Sequence, residues 1–486
     1  MRHSLTKERY AALAAQIQRH EDALDIRAAR RLKLLLEEEE IVHLPGETIY
    51  GWRTVSDFPD IYLPGEKEEL HASHFIHEQG RVCNLSSDWA GVLQGGLLRR
   101  RGTGEARDIT IDAVIAYADR YEDTELSEAV RYGAKDMKTA LNMFRILHMC
   151  LWASNVYHNT IGRFDQYMYP FYEADIQSGR LTEQTALQLL QEFFLSFNRD
   201  SDMYTGMQQG DNGQSLMLGG CDREGRCAVN DLTYLCITAS LNNRRIDPKI
   251  NLRVDKHTPL SLYRRCTELP RQGLGFPQYS NDDVVIPALT RLGYQLEDAR
   301  DYTVAACWEF IIPGVGMDIP NIGAVCLATV VHDVIEKKLA QCCAFDELME
   351  AVGQELVDRA DKLEASLRPI FIEPAPYQSV LMSDWSHDIS EGAKYNNYGI
   401  HGTGFATAVD QLCAVRWLIF EKKLRTPQQL LSALQNNFEN EVELKNLLLT
   451  RAPKLGRDAS CESVADALLE AFAHSWSHRT NERGGC

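Results

Sequence analysis

Residues 301–321 read DYTVAACWEFIIPGVGMDIPN, and their aromatic and β-branched side chains predict a buried strand. Side chains alternate between two faces along a strand, so Cys307 and Glu309 should point the same way. Trp308 should then point the other way and anchor the segment in the core, and the Pro313-Gly314 turn should end it. Most buried cysteines are inert, so a Cys-x-Glu triplet alone is a weak signal. We therefore treat Cys307 and Glu309 as a candidate reaction centre that needs support from the rest of the chain.

The bulk composition is that of an ordinary globular protein, with 486 residues, 44% hydrophobic and 25% charged. The net charge of −18 argues against nucleic acid or an anionic membrane as the main partner. No long apolar run and no signal-peptide core occur, so we expect a cytoplasmic protein that does not enter a membrane. The 13 cysteines form no Cys-x-x-Cys pair, so we predict free thiols and neither a metal site nor an iron–sulfur cluster.

Helices and strands alternate between residues 227 and 307. The sequence predicts a helix over AVNDLTYLCITASLNNRR, a strand at 249–255, and a strand, a turn and a helix over 275–289. Alternation at this spacing is typical of parallel strands joined by helical crossovers. No GxGxxG or Walker sequence follows these strands, so we expect no nucleotide site. The later part of the chain is mainly helical, with helices predicted at 322–345, 346–366, 405–424, 427–437 and 460–476.

Polar residues in loops or apolar stretches give further candidates. Asn84 lies in a polar, glycine-rich segment, and Gln214 lies in the polar loop that leads into SLMLGG. His148 lies within the apolar stretch LNMFRILHMCLWASNVY, where a histidine is more often a structural core residue than a catalytic one. Arg163 and Asp165 are expected to form an ion pair that fixes a helix junction.

Seven segments occur in the order GRFDQYMYP, SLMLGG, NDLTYLCITAS, GFPQYSNDDVVIPAL, EDARDYTVAACWE, GIHGTGFATAVDQL and ALQNNF. In this order they resemble the glycyl radical enzymes, the family of pyruvate formate-lyase and the radical dehydratases. The resemblance implies a ten-stranded α/β barrel surrounded by helices, with Cys307 on a loop at its centre. We interpret 1–486 as a single catalytic barrel domain. Its parts are N-terminal helices and polar loops (1–108), the first part of the barrel with the Cys loop (109–345) and a mainly helical remainder (346–486).

The resemblance also implies the chemistry. In the family a glycyl radical oxidises a cysteine to a thiyl, which takes a hydrogen atom from a C–H bond, and a carboxylate then removes a proton as a β-leaving group departs. Cys307 and Glu309 match the family's Gly-Cys-Val-Glu motif, with Ala306 and Trp308 as departures. Pyruvate formate-lyase needs two adjacent cysteines here, so Ala306 argues against acyl transfer and for an eliminating lyase or a decarboxylase.

Four residues are candidates for contacts with a small-molecule substrate. By the resemblance, Asn321 falls where glycerol dehydratase has a substrate-binding aspartate, and Asn84 falls where relatives place a substrate-contacting His, Asp or Arg. Gln214 and His148 complete the set. The neutral amides of Asn84 and Asn321 suggest hydrogen bonds to hydroxyl groups, and hence a polyol-like or amide-bearing substrate.

The family's Arg-Val-x-Gly-Tyr motif, which carries the radical glycine, occurs nowhere in the 486 residues. We therefore expect a two-component enzyme that binds no cofactor directly and receives its radical in trans from a small glycyl radical subunit. A radical S-adenosylmethionine activase would act on that subunit, and a homodimer is a further expected assembly. The alternatives are a radical decarboxylase of an arylacetate-type acid, a non-catalytic scaffold for a glycyl radical protein, and a fragment of a full-length enzyme.

Overall fold

The computed structural model describes residues 2–70, 74–75, 82, 84–156, 158–199, 203, 213–368 and 370–485, without the side chains of 68, 69, 74, 75 and 321. The chain divides into two compact units. Unit 1 comprises Met1–Ile319 and Phe371–Asn397, and unit 2 comprises Pro320–Ile370 and Tyr398–Cys486. The assignment of 1–486 to one domain stays a prediction.

The helices of the described residues are α1 (Lys7–Ile17), α2 (Leu24–Glu38), α3 (Glu66–Leu70), α4 (Trp89–Gly95), α5 (Glu105–Asp119), α6 (Thr124–Tyr132), α7 (Met137–Ala153), α8 (Phe164–Tyr167), α9 (Tyr169–Gln177), α10 (Glu183–Ser196), α11 (Asp231–Asn243), α12 (Leu260–Cys266), α13 (Glu268–Arg271), α14 (Asp282–Arg291), α15 (Leu296–Ala299), α16 (Leu327–Lys338), α17 (Phe345–Leu367), α18 (Pro376–Val380), α19 (Phe405–Val415), α20 (Pro427–Gln435), α21 (Val442–Arg451) and α22 (Glu462–Trp476). Short 3₁₀ turns cover Leu98–Arg100, Leu339–Gln341, Ile389–Glu391 and Ala459–Cys461, and a π-helical turn covers Arg416–Glu421.

The strands of the described residues are β1 (His74–Phe75), β2 (Gly162–Arg163), β3 (Ser215–Gly219), β4 (Lys249–Val254), β5 (Gln278–Asn281), β6 (Thr303–Ala305), β7 (Glu309–Ile311), β8 (Ile319–Cys326), β9 (Ile370–Phe371) and β10 (Tyr398–Thr403).

The centre of unit 1 is a parallel sheet in the order β2-β3-β4-β5. Its register places Leu216 beside Ile250 and Leu252 beside Tyr279. Every residue of β3 is buried, as expected for a parallel strand that helices cover on both faces. The predicted alternation of helices and strands between 227 and 307 is therefore confirmed, and β4 and β5 are parallel as predicted. The third predicted strand, β6, pairs antiparallel with β7 instead of joining this sheet.

Helix α7 forms the middle of the unit 1 core. Its N-cap Asp136 accepts a hydrogen bond from Thr139 N–H, and every residue from Thr139 to Ala153 is buried. A helix that is buried on all sides must be surrounded by other elements, and α7 contacts α4, α6, α9 and α10. This packing fixes the position of the segment that leads from α7 into β2.

The segment around Cys307 is a tight hairpin and not the continuous strand that the sequence predicts. Strands β6 and β7 pair antiparallel, with Ala305 opposite Glu309, so residues 306–308 form the turn. The chain reverses at Ala306, whose φ of 47° lies in the left-handed region. Trp308 is 53% exposed, so the prediction that it anchors the core is wrong, because side-chain alternation does not continue through a turn.

Unit 2 consists of the pair β8 and β10 and the helices α16, α17 and α19 to α22. Helices α17, α20 and α22 confirm the predictions for 346–366, 427–437 and 460–476. The predicted helix 322–345 is wrong at its start, because β8 extends to Cys326 and α16 begins at Leu327. In the part of the chain that the structure describes, no helix combines the length and apolar character needed to cross a membrane, and the predicted cytoplasmic location stays a prediction.

Candidate active site

Cys307 and Glu309 lie together at the tip of the β6–β7 hairpin. The Glu309 Oε2 atom accepts hydrogen bonds from the backbone N–H groups of Cys307, at 2.7 Å, and Trp308, at 2.8 Å. These are charge-assisted bonds of the short, strong kind. The carboxylate therefore closes its own turn and is held beside the cysteine that precedes it by two residues.

The Cys307 side chain is exposed. The neighbouring Ala306 is 5% exposed, and its carbonyl oxygen accepts a hydrogen bond of 2.9 Å from Ser215 Oγ at the start of β3. A β-carbon added at Gly213 would lie 3.6 Å from Ala306 Cα and 2.9 Å from His158 Cδ2. The turn is thus packed at Ala306 against the start of β3, whereas Cys307 is exposed.

Sequence reasoning missed Ser215 and Gly213 as neighbours of the turn, and His158 as a neighbour of Gly213. Ser215 and Gly213 belong to the segment that leads into β3, and His158 precedes β2 with a φ of 53°. The sequence did offer one signal for these neighbours, a polar residue at the start of a buried strand. Such a residue lies at the end of the sheet, close to the loops that carry functional groups.

A buried charged cluster supports the base of the hairpin. Arg253 donates to both carboxylate oxygens of Asp282, at 2.8 and 2.9 Å, and to the Tyr302 carbonyl at 3.1 Å. Tyr302 Oη donates to Asp282 at 2.7 Å, and the guanidinium lies 4.1 Å from the Tyr302 ring centroid. Burial alone would lower the pKa of Arg253, but the Asp282 carboxylate raises it above its ordinary value. The strand that carries Cys307 therefore starts from a fixed, fully paired anchor.

Arg163 forms a second contact with the hairpin base. Its guanidinium pairs with Asp301 at 2.9 Å and donates to the Gly219 carbonyl at 3.2 Å. The predicted pair of Arg163 with Asp165 is therefore wrong. Asp165 instead accepts hydrogen bonds from Thr233 Oγ1, at 2.6 Å, and from Gly219 N–H, at 2.8 Å, and burial raises its pKa.

Asn84 is 1% exposed and has a φ of 56°. The two residues that follow it hold their segment in place: Leu85 O accepts from Thr160 N–H at 2.9 Å, and Ser86 O accepts from Gly314 N–H at 2.8 Å. Gly314 belongs to the turn that follows β7, so the structure ties the Asn84 segment to the far end of the Cys307 hairpin. The role of Asn84 in substrate binding stays a prediction.

His148 and Gln214 are both fully buried. The His148 ring stacks on Phe144 with 5.7 Å between centroids, and its Nε2 lies 3.3 Å from the Asn159 carbonyl oxygen. Because a carbonyl only accepts, Nε2 carries the proton. Burial lowers the pKa of His148 to about 3, so the ring is neutral at physiological pH. This environment suits a core histidine, and substrate-binding roles for both residues stay predictions.

Asn321 lies in β8, which places it in unit 2. Its side chain is outside the described residues, so its predicted substrate contact stays a prediction. Among the side chains that the structure describes, no cluster of three His, Cys, Asp or Glu residues is arranged to hold a metal ion.

The fold matches solved structures along its whole length. The glycerol-bound B12-independent glycerol dehydratase of Clostridium butyricum superimposes with a TM-score of 0.81 at 23% identity, covering 100% of this chain and 80% of that one. The hydroxyproline dehydratase of Clostridioides difficile, with its substrate bound, gives a TM-score of 0.83 at 19% identity, covering 100% and 78%. A glycyl radical enzyme from Archaeoglobus fulgidus gives 0.79 at 20% identity, covering 100% and 79%. The predicted α/β fold of the glycyl radical enzyme type is confirmed.

Residues 123–486 match the family described as pyruvate formate lyase-like, so the chain belongs to this family. The chain is 29% identical over 366 residues to (2S)-3-sulfopropanediol dehydratase of Klebsiella oxytoca, covering 68% of this chain and 44% of the relative. It is 27% identical over 360 residues to trans-4-hydroxy-L-proline dehydratase of Clostridioides difficile, covering 67% and 44%. The matches thus span less than half the length of these curated relatives.

Proposed function

We propose that this chain is the thiol-bearing catalytic part of a radical lyase that eliminates a β-leaving group from a small hydroxylated molecule. The observation that carries the proposal is the hairpin tip, where Glu309 is held by hydrogen bonds beside the exposed Cys307. The proposal is also supported by the two relatives named above, both of which are dehydratases.

The tip places the two groups that the reaction needs within one turn. The Cys307 thiyl removes a hydrogen atom from a substrate carbon that bears a hydroxyl group. The resulting radical has a more acidic hydroxyl, and Glu309 takes that proton. The leaving group departs from the adjacent carbon with the bonding electrons and, where it is hydroxide, takes the proton from Glu309 to leave as water. Return of the hydrogen atom from Cys307 to the product radical regenerates the thiyl.

The radical itself has to come from a glycyl residue outside these 486 residues, because no Arg-Val-x-Gly-Tyr sequence occurs within them. A glycyl radical supplies one oxidising equivalent that converts the Cys307 thiol to a thiyl. The exposed thiol fits this requirement, since a second polypeptide can approach it. We propose a small separate glycyl radical protein as the source, with a radical S-adenosylmethionine activase acting on that protein.

A relative of this chain is itself described as one subunit of an enzyme. The chain is 21% identical over 364 residues to the 4-hydroxyphenylacetate decarboxylase glycyl radical subunit of Clostridioides difficile, covering 64% of this chain and 40% of the relative. Decarboxylation of an arylacetate is therefore the second candidate reaction.

The test is anaerobic reconstitution with an activated small glycyl radical protein, identified as a short reading frame near this chain's gene that encodes an Arg-Val-x-Gly-Tyr sequence. Small 1,2-diols, hydroxylated amino acids and an arylacetate are offered separately. Product analysis and carbon dioxide release distinguish elimination from decarboxylation, and electron paramagnetic resonance follows the radical. Turnover by this chain alone would place the radical source on the same polypeptide and refute the two-component arrangement.

Two variants test the residue roles. Cys307→Ser should abolish turnover while the partner's radical signal persists, and turnover by this variant would eliminate the thiyl role. Glu309→Gln should preserve radical transfer and lose elimination, because the amide cannot accept a proton at neutral pH. Unchanged elimination by Glu309→Gln would mean that another group is the base.

A further inference from the structure

Two cysteines face each other in a small hairpin directly after β3. Residues 221–227 read CDREGRC, and Cys221 and Cys227 form an antiparallel β-bridge. Two backbone hydrogen bonds of 2.9 Å flank the bridge, from Ala228 N–H to Gly220 O and from Asp222 N–H to Arg226 O. In this arrangement the two cysteines are a non-hydrogen-bonded antiparallel pair.

The backbone of the hairpin sets the separation of the two thiols. In a non-hydrogen-bonded pair the Cα atoms lie about 4.5 Å apart, and the two side chains extend on the same face. A disulfide requires Cα atoms separated by about 4.4–6.8 Å. Cys221 and Cys227 therefore meet the backbone requirement of a disulfide, although both are free thiols in this structure.

The two sulfurs differ in their surroundings. Cys221 is 5% exposed, and its sulfur accepts a hydrogen bond of 3.5 Å from Arg253 Nη2. Burial raises the pKa of the Cys221 thiol above its ordinary value. Cys227 is exposed, so an oxidant from solution reaches it first and Cys221 follows as the resolving thiol.

We propose that Cys221 and Cys227 form a reversible disulfide, which makes this hairpin a site of oxidative modification. With hydrogen peroxide as the oxidant, the Cys227 sulfur gains a hydroxyl group as the O–O bond breaks and one water leaves. The Cys221 sulfur then displaces that hydroxyl, the S–S bond forms and a second water leaves. Two thiols and one peroxide thus give one disulfide and two waters, and a dithiol reductant reverses the change by exchange.

The hairpin rests on the same charged groups that support the Cys307 hairpin. Cys221 N–H donates to Asp282 at 3.1 Å, and the Cys221 carbonyl accepts from Arg163 at 2.7 Å. These contacts use the Cys221 backbone and leave its sulfur to form the bond. The disulfide therefore leaves the backbone contacts with Arg163 and Asp282 in place and engages the sulfur, which Arg253 Nη2 contacts at 3.5 Å.

The disulfide is tested by peptide mapping of the full chain after treatment with hydrogen peroxide, with a sample kept in dithiothreitol for comparison. Remaining thiols are blocked with iodoacetamide, and trypsin is used without reductant. Because trypsin cuts after Arg223 and Arg226, the bond appears as a cross-linked pair of peptides 200–223 and 227–244. Fragmentation separates Cys227 from Cys236 within the second peptide. We expect this pair to be at least tenfold more abundant than any other cysteine cross-link and to vanish on reduction.

Matched variants decide the outcome. Cys227→Ser, an exposed substitution, should abolish the cross-linked pair, and Cys343→Ser, an exposed cysteine elsewhere, should leave its yield unchanged. The proposal is overturned if Cys227 is oxidised beyond the sulfenic acid while the Cys221 thiol is still alkylated by iodoacetamide after denaturation. A cross-link from Cys236 in place of Cys227 would overturn it as well.

Discussion

The geometry of the hairpin tip predicts a specific difference between two substitutions of Glu309. The alanine substitution removes the acceptor of two backbone hydrogen bonds, 2.7 Å from Cys307 N and 2.8 Å from Trp308 N. Hydrogen bonds to a charged group contribute about 1.5–3 kcal/mol each. Both amides lie at an exposed tip, so we take the lower end, about 1.5 kcal/mol per amide. This corresponds to roughly tenfold faster hydrogen exchange at each amide.

The glutamine substitution keeps an acceptor oxygen at the same position. A hydrogen bond to a neutral acceptor contributes about 1 kcal/mol, so exchange at Cys307 and Trp308 should rise only about twofold to threefold. Glu309→Gln therefore isolates the loss of the carboxylate's charge and basicity, whereas Glu309→Ala also loosens the turn.

The measurement is hydrogen–deuterium exchange resolved to single amides by electron-transfer fragmentation. Amides of α20, a helix of unit 2, serve as an internal reference in the same sample. If the Cys307 and Trp308 amides of Glu309→Ala exchange at the wild-type rate, the carboxylate does not hold the turn. The positioning of the base beside the thiol would then need another explanation.

Three further outcomes follow from the structure. Asp282→Asn leaves the buried Arg253 without its carboxylate and should lower the unfolding free energy by about 3–5 kcal/mol, measured by urea denaturation. His148 has its pKa lowered to about 3 by burial, below that of the unfolded chain, so stability should fall as the pH drops from about 6.5 towards 3, by up to about 1.4 kcal/mol per pH unit. Gly314→Ala should lower the Tm more than Gly46→Ala, because both have positive φ but only the first would place a β-carbon 2.9 Å from a neighbouring β-carbon.

Each of these outcomes has its own control. Asp222→Asn breaks an ion pair with Arg226 near the surface and should lower the free energy of unfolding by less than about 1 kcal/mol. If Asp282→Asn lowered it by no more than this, the Arg253–Asp282 pair would not anchor the hairpin. His148→Phe should flatten the acid limb of the stability profile, and an unchanged slope would assign that slope to other groups. Equal Tm values for Gly314→Ala and Gly46→Ala would show that the turn after β7 has room for a methyl group.

The sequence was sufficient to predict the parallel strands β4 and β5 and to select Cys307 and Glu309 as candidates for a reacting pair. SLMLGG and the segment 249–255 are short apolar runs between helices with recognisable caps, and the structure makes them β3 and β4. Cys307 and Glu309 became candidates because the segments around them resemble the glycyl radical enzymes, and the structure places the Glu309 carboxylate against the backbone of Cys307. The family that the sequence resembles is confirmed by a match that covers residues 123–486, most of the chain.

Other features depend on contacts that no local pattern encodes. Trp308 is exposed because the chain reverses at Ala306, and a left-handed alanine leaves no mark in the sequence. Arg163 pairs with Asp301, 138 residues away, instead of the adjacent Asp165. The start of the predicted helix 322–345 is a strand, because a short apolar run fits either structure until its neighbours are known.

The way in which Glu309 bonds to the backbone of its own turn has a consequence for evolution. The tip of the hairpin is held in part by its own carboxylate, which accepts two backbone hydrogen bonds from the residues before it. The surrounding loops can then change in sequence, and accept other molecules, without moving Glu309 away from Cys307. Grafting the five residues from Ala305 to Glu309 between relatives should accordingly preserve the chemistry and leave the choice of molecule to the recipient.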